Sequence, residues 1–236
     1  MHGLKLSTVI TCEHAGNTVP QNYAHLFHGK EEILQSHRGW DPGAVQVASL
    51  LSKELSSPFY ICETTRLLVE PNRSLHSDSL FSEFSQLLTD EQKNMVLQEY
   101  YHPHRTAVEQ YIRESPDVIL HLSIHSFTPL WNEVERRVDL GLLFDPDRTN
   151  ETRFCEIYRA RLKESLPAMN IEFNEPYKGI DDGFTTYLRT QFDNDRYLGI
   201  EIEISQKYVG TETLDVIARE LLTSLRTDSI ILKSKE

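Results

Sequence analysis

The stretch from Val118 to Pro129 constrains the fold of this chain most tightly. An apolar run, Val118 to Leu122, leads into His121-Leu122-Ser123-Ile124-His125-Ser126-Phe127-Thr128-Pro129 and breaks at the proline. A short apolar run bounded by a breaker reads as a strand covered on both faces. In an extended chain His121, Ser123 and His125 share one side. Such a strand carries imidazoles into a covered layer, and its last histidine faces a loop. That is a suitable place for a metal ligand in an α/β protein.

The rest of the chain repeats the theme. Leu6 to Cys12 reads as a strand that runs into Glu13-His14-Ala15-Gly16-Asn17. Gly39-Trp40-Asp41-Pro42-Gly43-Ala44 places a carboxylate just before a helical pattern, Ala44 to Leu55. Phe59 to Glu63, Val118 to Ser123, Val138 to Phe144 and Tyr197 to Ile204 read as further strands. Thr152 to Leu166 and Leu214 to Leu225 read as helices. Thr89 to Arg113 is a long helical pattern, opened by a capping-box signature at Thr89 and Gln92 and broken or kinked at Pro103. Arg73 to Ser85 and Asn174 to Phe184 read as long, functional loops. Strands alternating with helices give an α/β sheet covered on both faces. No repeat or linker divides the chain, so residues 1–236 are expected to form one domain.

Composition narrows the function. The net charge of -12 argues against a nucleic-acid or anionic membrane surface. No apolar stretch is long enough to span a bilayer. Cys12, Cys62 and Cys155 are odd in number and widely spaced, and no export signal is visible. A reduced, cytoplasmic protein is expected.

Each candidate has a bland reading. His14 after its strand is a metal ligand or a histidine bonded to loop backbone. His125 carries the same ambiguity, and His121 is a rival deeper in the strand. Asp41 alone reads as a helix N-cap. Glu201 and Glu203 alternate with Ile200, Ile202 and Ile204, so both point one way. On an edge strand they form a solvated face; in a covered sheet they aim at a site, because unpaired buried charge is costly. Two histidines, an aspartate and a buried glutamate are the components of a mononuclear zinc hydrolase. Arg66 and Arg73, near a strand end and a Pro-Asn turn, suit an anion. Arg136, Arg137 and Arg189 are further cations that read otherwise as surface charge.

In order along the chain, four landmarks resemble the N-formylglutamate amidohydrolase family. They are Cys12-Glu13-His14-Ala15-Gly16-Asn17, Asp41-Pro42-Gly43-Ala44, Ser123-Ile124-His125-Ser126-Phe127-Thr128-Pro129 and Ile202-Glu203-Ile204. Softer matches are Pro71-Asn72-Arg73, Tyr101-His102-Pro103-His104-Arg105, Asp139-Leu140-Gly141-Leu142-Leu143 and Asn174-Glu175-Pro176-Tyr177. The resemblance runs from Thr8 to about Val209 and is to the branch described as predicted amidohydrolases. Zinc-dependent cell-wall amidases are similar more distantly.

This resemblance implies a three-layer α/β/α sandwich with a mostly parallel or mixed central sheet, phosphorylase/hydrolase-like and similar to zinc carboxypeptidases. It implies one zinc ion on His14, Asp41 and His125, with Glu203 as catalytic carboxylate and Glu201 as the alternative. The implied reaction is hydrolysis of a small carboxylate-bearing amide, an N-acyl amino acid such as N-formylglutamate. Arg66, Arg73, Arg137, Arg189 and Tyr177 are the candidate substrate contacts. A peptidoglycan-type amidase and a non-catalytic metal-binding or regulatory protein are the alternatives. Two positions depart from the family pattern. Ser205 stands where an arginine often follows the Glu-Ile pair. Phe184 to Arg189 lacks a histidine often found after the Pro-Tyr loop, and Arg189 could take over its charge.

Overall fold

The computed structural model describes residues 6–226. Strands β1 (Leu6–Cys12), β2 (Phe59–Ile61), β3 (Val118–Phe127), β6 (Leu140–Leu143), β7 (Ile171–Phe173) and β8 (Tyr197–Ser205) form one sheet in the order β2-β1-β3-β8-β6-β7. A two-stranded hairpin, β4 (Leu130–Trp131) and β5 (Val134–Glu135), projects after β3. The helices are α1 (Glu31–Gln35), α2 (Ala44–Leu55), α3 (Asp90–Val96), α4 (His102–Glu114), α5 (Thr149–Ser165), α6 (Phe184–Gln191) and α7 (Glu212–Arg226). All pairings in the main sheet are parallel except β6 against β8. The carboxyl ends of β1, β2, β3 and β8 therefore share one edge, where open α/β sheets gather their sites.

Two faces of the sheet are covered differently. Leu120, Leu122 and Ile124 of β3, with Ile200, Ile202 and Ile204 of β8, pack under α2, α5 and α7 through Val47, Leu51, Phe154, Tyr158, Ile217 and Leu221. On the opposite face Val9, Ile119 and Tyr197 meet Val108 and Ile112 of α4 and Phe184 and Leu188 of α6. This is a three-layer α/β/α sandwich. Every residue of β3 and of β8 is buried, and β8 is an interior strand. The edge-strand reading of Glu201 and Glu203 is thereby removed. The strand period of two puts His121, Ser123, His125, Glu201 and Glu203 together on the α4/α6 side. A third cluster, with Tyr23, Phe27, Leu68, Leu80, Val96 and Tyr101, supports the loops beside that edge.

The long helical pattern expected from Thr89 to Arg113 is two helices. Thr89 caps α3 with the reciprocal box to Gln92. A wider π turn over Leu97–Tyr101 precedes α4, and Pro103 sits in the first turn of α4. Proline lacks an N–H and its ring clashes with the carbonyl four residues back, so the break falls ahead of it. Helix α6, strand β7 and the β4–β5 hairpin are short, and no sequence periodicity announced them. The loop expected at Asn174 to Phe184 ends where α6 begins.

Candidate metal centre

His14 follows β1, His125 lies near the end of β3, and Asp41 precedes α2. The three meet at the sheet edge. His14 Nδ1 is 3.1 Å from His125 Nδ1 and 3.1 Å from Asp41 Oδ2; His125 Nδ1 is 3.0 Å from the same oxygen. All three side chains are buried. Asp41 does not cap α2: Gly43, at φ 84°, occupies the N-cap without a side-chain bond. Both Asp41 oxygens turn inward, Oδ2 also accepting from the Ser126 N–H (3.3 Å) and Oδ1 from Arg66 (3.3 Å).

Each imidazole is held from behind by a carboxylate. His14 Nε2 meets Glu70 Oε1 at 2.5 Å, and His125 Nε2 meets Glu13 Oε2 at 3.2 Å and Ser123 Oγ at 2.9 Å. A proton on each Nε2 leaves each Nδ1 with a lone pair facing the common point. Metal-ligating histidines are oriented in this way by a carboxylate on the far nitrogen. Charge fits as well. Burial opposes ionisation of Asp41, Glu13 and Glu70, but their histidine and arginine neighbours hold all three well below the usual carboxylate range. Asp41, Glu13 and Glu70 against the Arg66 guanidinium leave two negative charges around the two imidazoles. Burial disfavours charge on His125, yet Asp41 and Glu13 raise its pKa well above the ordinary value. The site is thus built for positive charge, and two imidazole nitrogens with a carboxylate oxygen suit a divalent ion.

Glu203 pairs with His125 in the β3–β8 register and with Gly141 of β6. A side chain at Gly141 would meet the Glu175 carbonyl at 2.1 Å and the Glu203 Cβ at 3.2 Å, so glycine is required by the Glu175 backbone and also leaves room beside Glu203. Glu203 Oε2 is buried and has no hydrogen-bond partner among the described residues. Burial, helped by Asp41 and Glu201, raises the Glu203 carboxyl to about 7. Glu201 differs, since its Oε1 accepts from the Thr185 hydroxyl.

A cavity of about 400 Å³ opens over this centre, lined by His14, Asp41, His125, Glu201 and Glu203 and by Arg66, Arg73 and Tyr177 among others. The arginines divide. Arg66 is consumed by Asp41 and Glu70. Arg73 donates to the carbonyls of Asn72 (2.8 Å) and Asp182 (2.9 Å) and has no carboxylate within ion-pair distance among the described residues. Arg136 lies over Tyr177 and Trp131 and donates to Tyr177 Oη. Arg137 is exposed and does not line the cavity. Arg189 is buried against Glu151 and caps the carbonyls of Gly179 and Gly199. The structure brings neither Arg137 nor Arg189 to the cavity; Arg189 instead neutralises a carboxylate that would otherwise be buried with less compensation. His121 is also elsewhere, bonded to Thr11 (2.8 Å) and Tyr197 (2.7 Å).

Sequence reasoning overlooked Glu13 and Glu70 as partners of the histidines. The signals were present: Glu13 directly precedes His14, and Glu70 lies four residues after Arg66 beside Pro71-Asn72-Arg73. Asn72, whose Oδ1 accepts from the Phe184 N–H at 2.6 Å, and Trp131 at the cavity mouth were also missed.

Fold and centre together define an α/β/α sandwich with a His-Asp-His donor trio and a buried glutamate at the carboxyl edge of its sheet. The chain belongs to the N-formylglutamate amidohydrolase family, whose model matches residues 6–209, and it is therefore of a hydrolase lineage. Among solved structures it is similar to gene product Atu2144 from Agrobacterium tumefaciens, at 27% identity and a TM-score of 0.79 over 94% of this chain and 91% of that one. Weaker likenesses are to the CwlD amidase from Clostridioides difficile, solved with the GerS lipoprotein (14% identity, TM-score 0.45, 93% and 96% covered), and to a metallo-carboxypeptidase from Pseudomonas aeruginosa (15%, 0.42, 95% and 57%). No curated protein matches. Among the described residues no helix is long and apolar enough to cross a membrane.

Proposed function

We propose that this chain, acting as a single domain, is a zinc-dependent amidohydrolase for a small amide carrying a carboxylate, an N-acyl amino acid of the N-formylglutamate type. The observation that carries the reading is the meeting of two Nδ1 atoms and one carboxylate oxygen, with each far nitrogen held by a buried carboxylate. Zinc on His14, Asp41 and His125 would supply a Lewis acid that polarises an amide carbonyl and acidifies water.

Glu203 supplies the proton transfers. Its Oε2 is free to accept a proton from the attacking water and then release it to the departing amine nitrogen, and burial, which raises the carboxyl, makes it a stronger base. Glu201, tied to Thr185, is the weaker candidate. Arg73 supplies the charge for the substrate carboxylate, since its own hydrogen bonds go only to backbone carbonyls. Arg66 keeps Asp41 and Glu70 ionised and in place. Three buried, unpaired cysteines support a reducing, cytoplasmic setting.

Metal analysis of the purified protein, followed by amine release from N-formylglutamate and a panel of N-acyl amino acids, tests the reading. About one zinc per chain and hydrolysis of carboxylate-bearing amides are expected. A zinc-loaded protein that releases amine from no member of the panel would remove it.

A further inference from the structure

We propose that the acyl group of the substrate is apolar and larger than formyl, and that Trp131 and Tyr177 receive it. The proposal rests on the amidohydrolase reading above and goes beyond it by assigning the aromatic lining of the cavity.

The cavity lining holds two chemically different groups. In one, Arg73 is bonded to the carbonyls of Asn72 and Asp182, and Gly183 lies between Asn72 and Glu201, so close that a side chain there would meet both at 3.2–3.3 Å. That group holds the cation for the amino-acid carboxylate. The other is Phe127, Thr128, Trp131 and Tyr177, with the His37 ring 6.2 Å from Trp131. The metal centre lines the same cavity. For a substrate with its carboxylate on Arg73 and its scissile amide over His14, Asp41 and His125, the aromatic group is the apolar lining left for the acyl group. A formyl group, a single C–H on the carbonyl, leaves those rings uncovered.

The aromatic group gathers around one cation. Trp131 closes the short hairpin of β4 and β5, whose turn holds Asn132 and Glu133 at φ 49° and 64°. Arg136 lies over the rings of Phe127, Trp131 and Tyr177 at 5.7, 5.1 and 5.0 Å, and its Nη1 donates to Tyr177 Oη at 3.1 Å and to the Thr128 carbonyl at 3.4 Å. One guanidinium thus bridges the three rings. Even so, Trp131 remains 48% exposed and Tyr177 40%. Large aromatic faces fixed at the mouth of a cavity, with water on one side, are surfaces that gain by covering an apolar group.

Binding to zinc-loaded Glu203→Gln protein isolates this contact from turnover. The ligands are N-formyl-, N-acetyl- and N-hexanoyl-L-glutamate, read by titration calorimetry. Each methylene fully buried strengthens binding roughly fourfold; with a wall half open to water, N-hexanoylglutamate should bind at least about tenfold more tightly than N-formylglutamate. Adding Trp131→Ala should erase that gap, Trp131→Phe should keep most of it, and Leu130→Ala, on the exposed side of the hairpin, should leave it intact. Equal affinities across the series, a gap that survives Trp131→Ala, or no binding of any ligand would overturn the proposal. Turnover by the zinc-loaded wild type is measured separately. Failure to hydrolyse any of the three counts against the amidohydrolase reading, while the dependence of binding on acyl length still decides the role of Trp131.

Discussion

Replacing Glu203 by glutamine should move activity and stability in opposite directions. Glu203 Oε2 is buried without a partner among the described residues, and burial raises the carboxyl from 4.5 to about 7. At 1.36 kcal/mol per pH unit, that displacement corresponds to about 3 kcal/mol of penalty on the ionised form. The folded pKa lies above the unfolded one, so between pH 4.5 and 7 the folded state binds the extra proton. Stability from this group is fully present below 4.5 and is lost as pH rises through 7. Glutamine does not titrate. In zinc-free protein, the variant should therefore gain on the wild type by up to about 3 kcal/mol between pH 4.5 and pH 8, measured as the change in their stability difference by urea unfolding. Using the difference cancels the cost of burying the amide itself. With zinc restored, the variant should keep its metal and lose about 10²- to 10⁴-fold in kcat, the range for a general base. A stability difference that is flat with pH would refute the burial argument. Loss of zinc would make Glu203 a ligand, and unchanged turnover would remove it from the chemistry.

Alanine at His14, Asp41 or His125 should abolish stoichiometric zinc binding, seen by metal analysis after dialysis. Glu13→Gln and Glu70→Gln should retain the site but weaken zinc by roughly 10- to 100-fold in competition with a chelator; unchanged affinity would show that the imidazoles need no orienting partner. Arg73→Ala should lower kcat/KM roughly ten- to a hundredfold for a carboxylate-bearing amide and little for its neutral analogue, consistent with about 1.5–3 kcal/mol for a charge-assisted pair. Arg189→Ala should show no such discrimination and should instead cost about 3 kcal/mol of stability by weakening the compensation of buried Glu151. His121, which burial lowers to about 4, takes up a proton on unfolding but not in the folded state between pH 6.5 and 4. Stability should fall across that window as pH drops, and His121→Asn should flatten the slope.

Elements with a long, clear period were legible in the sequence. β1 spans Leu6–Cys12 and α2 spans Ala44–Leu55, as their patterns indicate. β3 and β8 run one to four residues beyond the expected ends because their polar residues are buried rather than exposed. Elements held by tertiary contact were not legible. Helix α6 is eight residues long and starts where Asn72 accepts from the Phe184 N–H. The β4–β5 hairpin is two residues a side. Nothing in a window that short separates strand from loop.

The sequence by itself determined which way the candidate residues point along their strands. Strand alternation places His125 and Ser123 on one side of β3 and Glu201 and Glu203 on one side of β8, and the ordered landmarks single out His14, Asp41 and His125. Only the tertiary structure decided what those residues touch. Strand order sets His125 beside Glu203, loop packing brings Glu70 to His14, and burial raises Glu203 to about 7. Along the chain only their neighbourhoods set Arg66 and Arg73 apart from Arg136, Arg137 and Arg189. The fold gave Arg66 to two carboxylates, Arg189 to Glu151 and Arg136 to three aromatic rings, exposed Arg137, and left Arg73 at the cavity without a carboxylate partner among the described residues. The reason is physical: residue type and spacing fix direction along an element, whereas charge pairing and desolvation depend on groups that only the folded chain brings within a few ångströms.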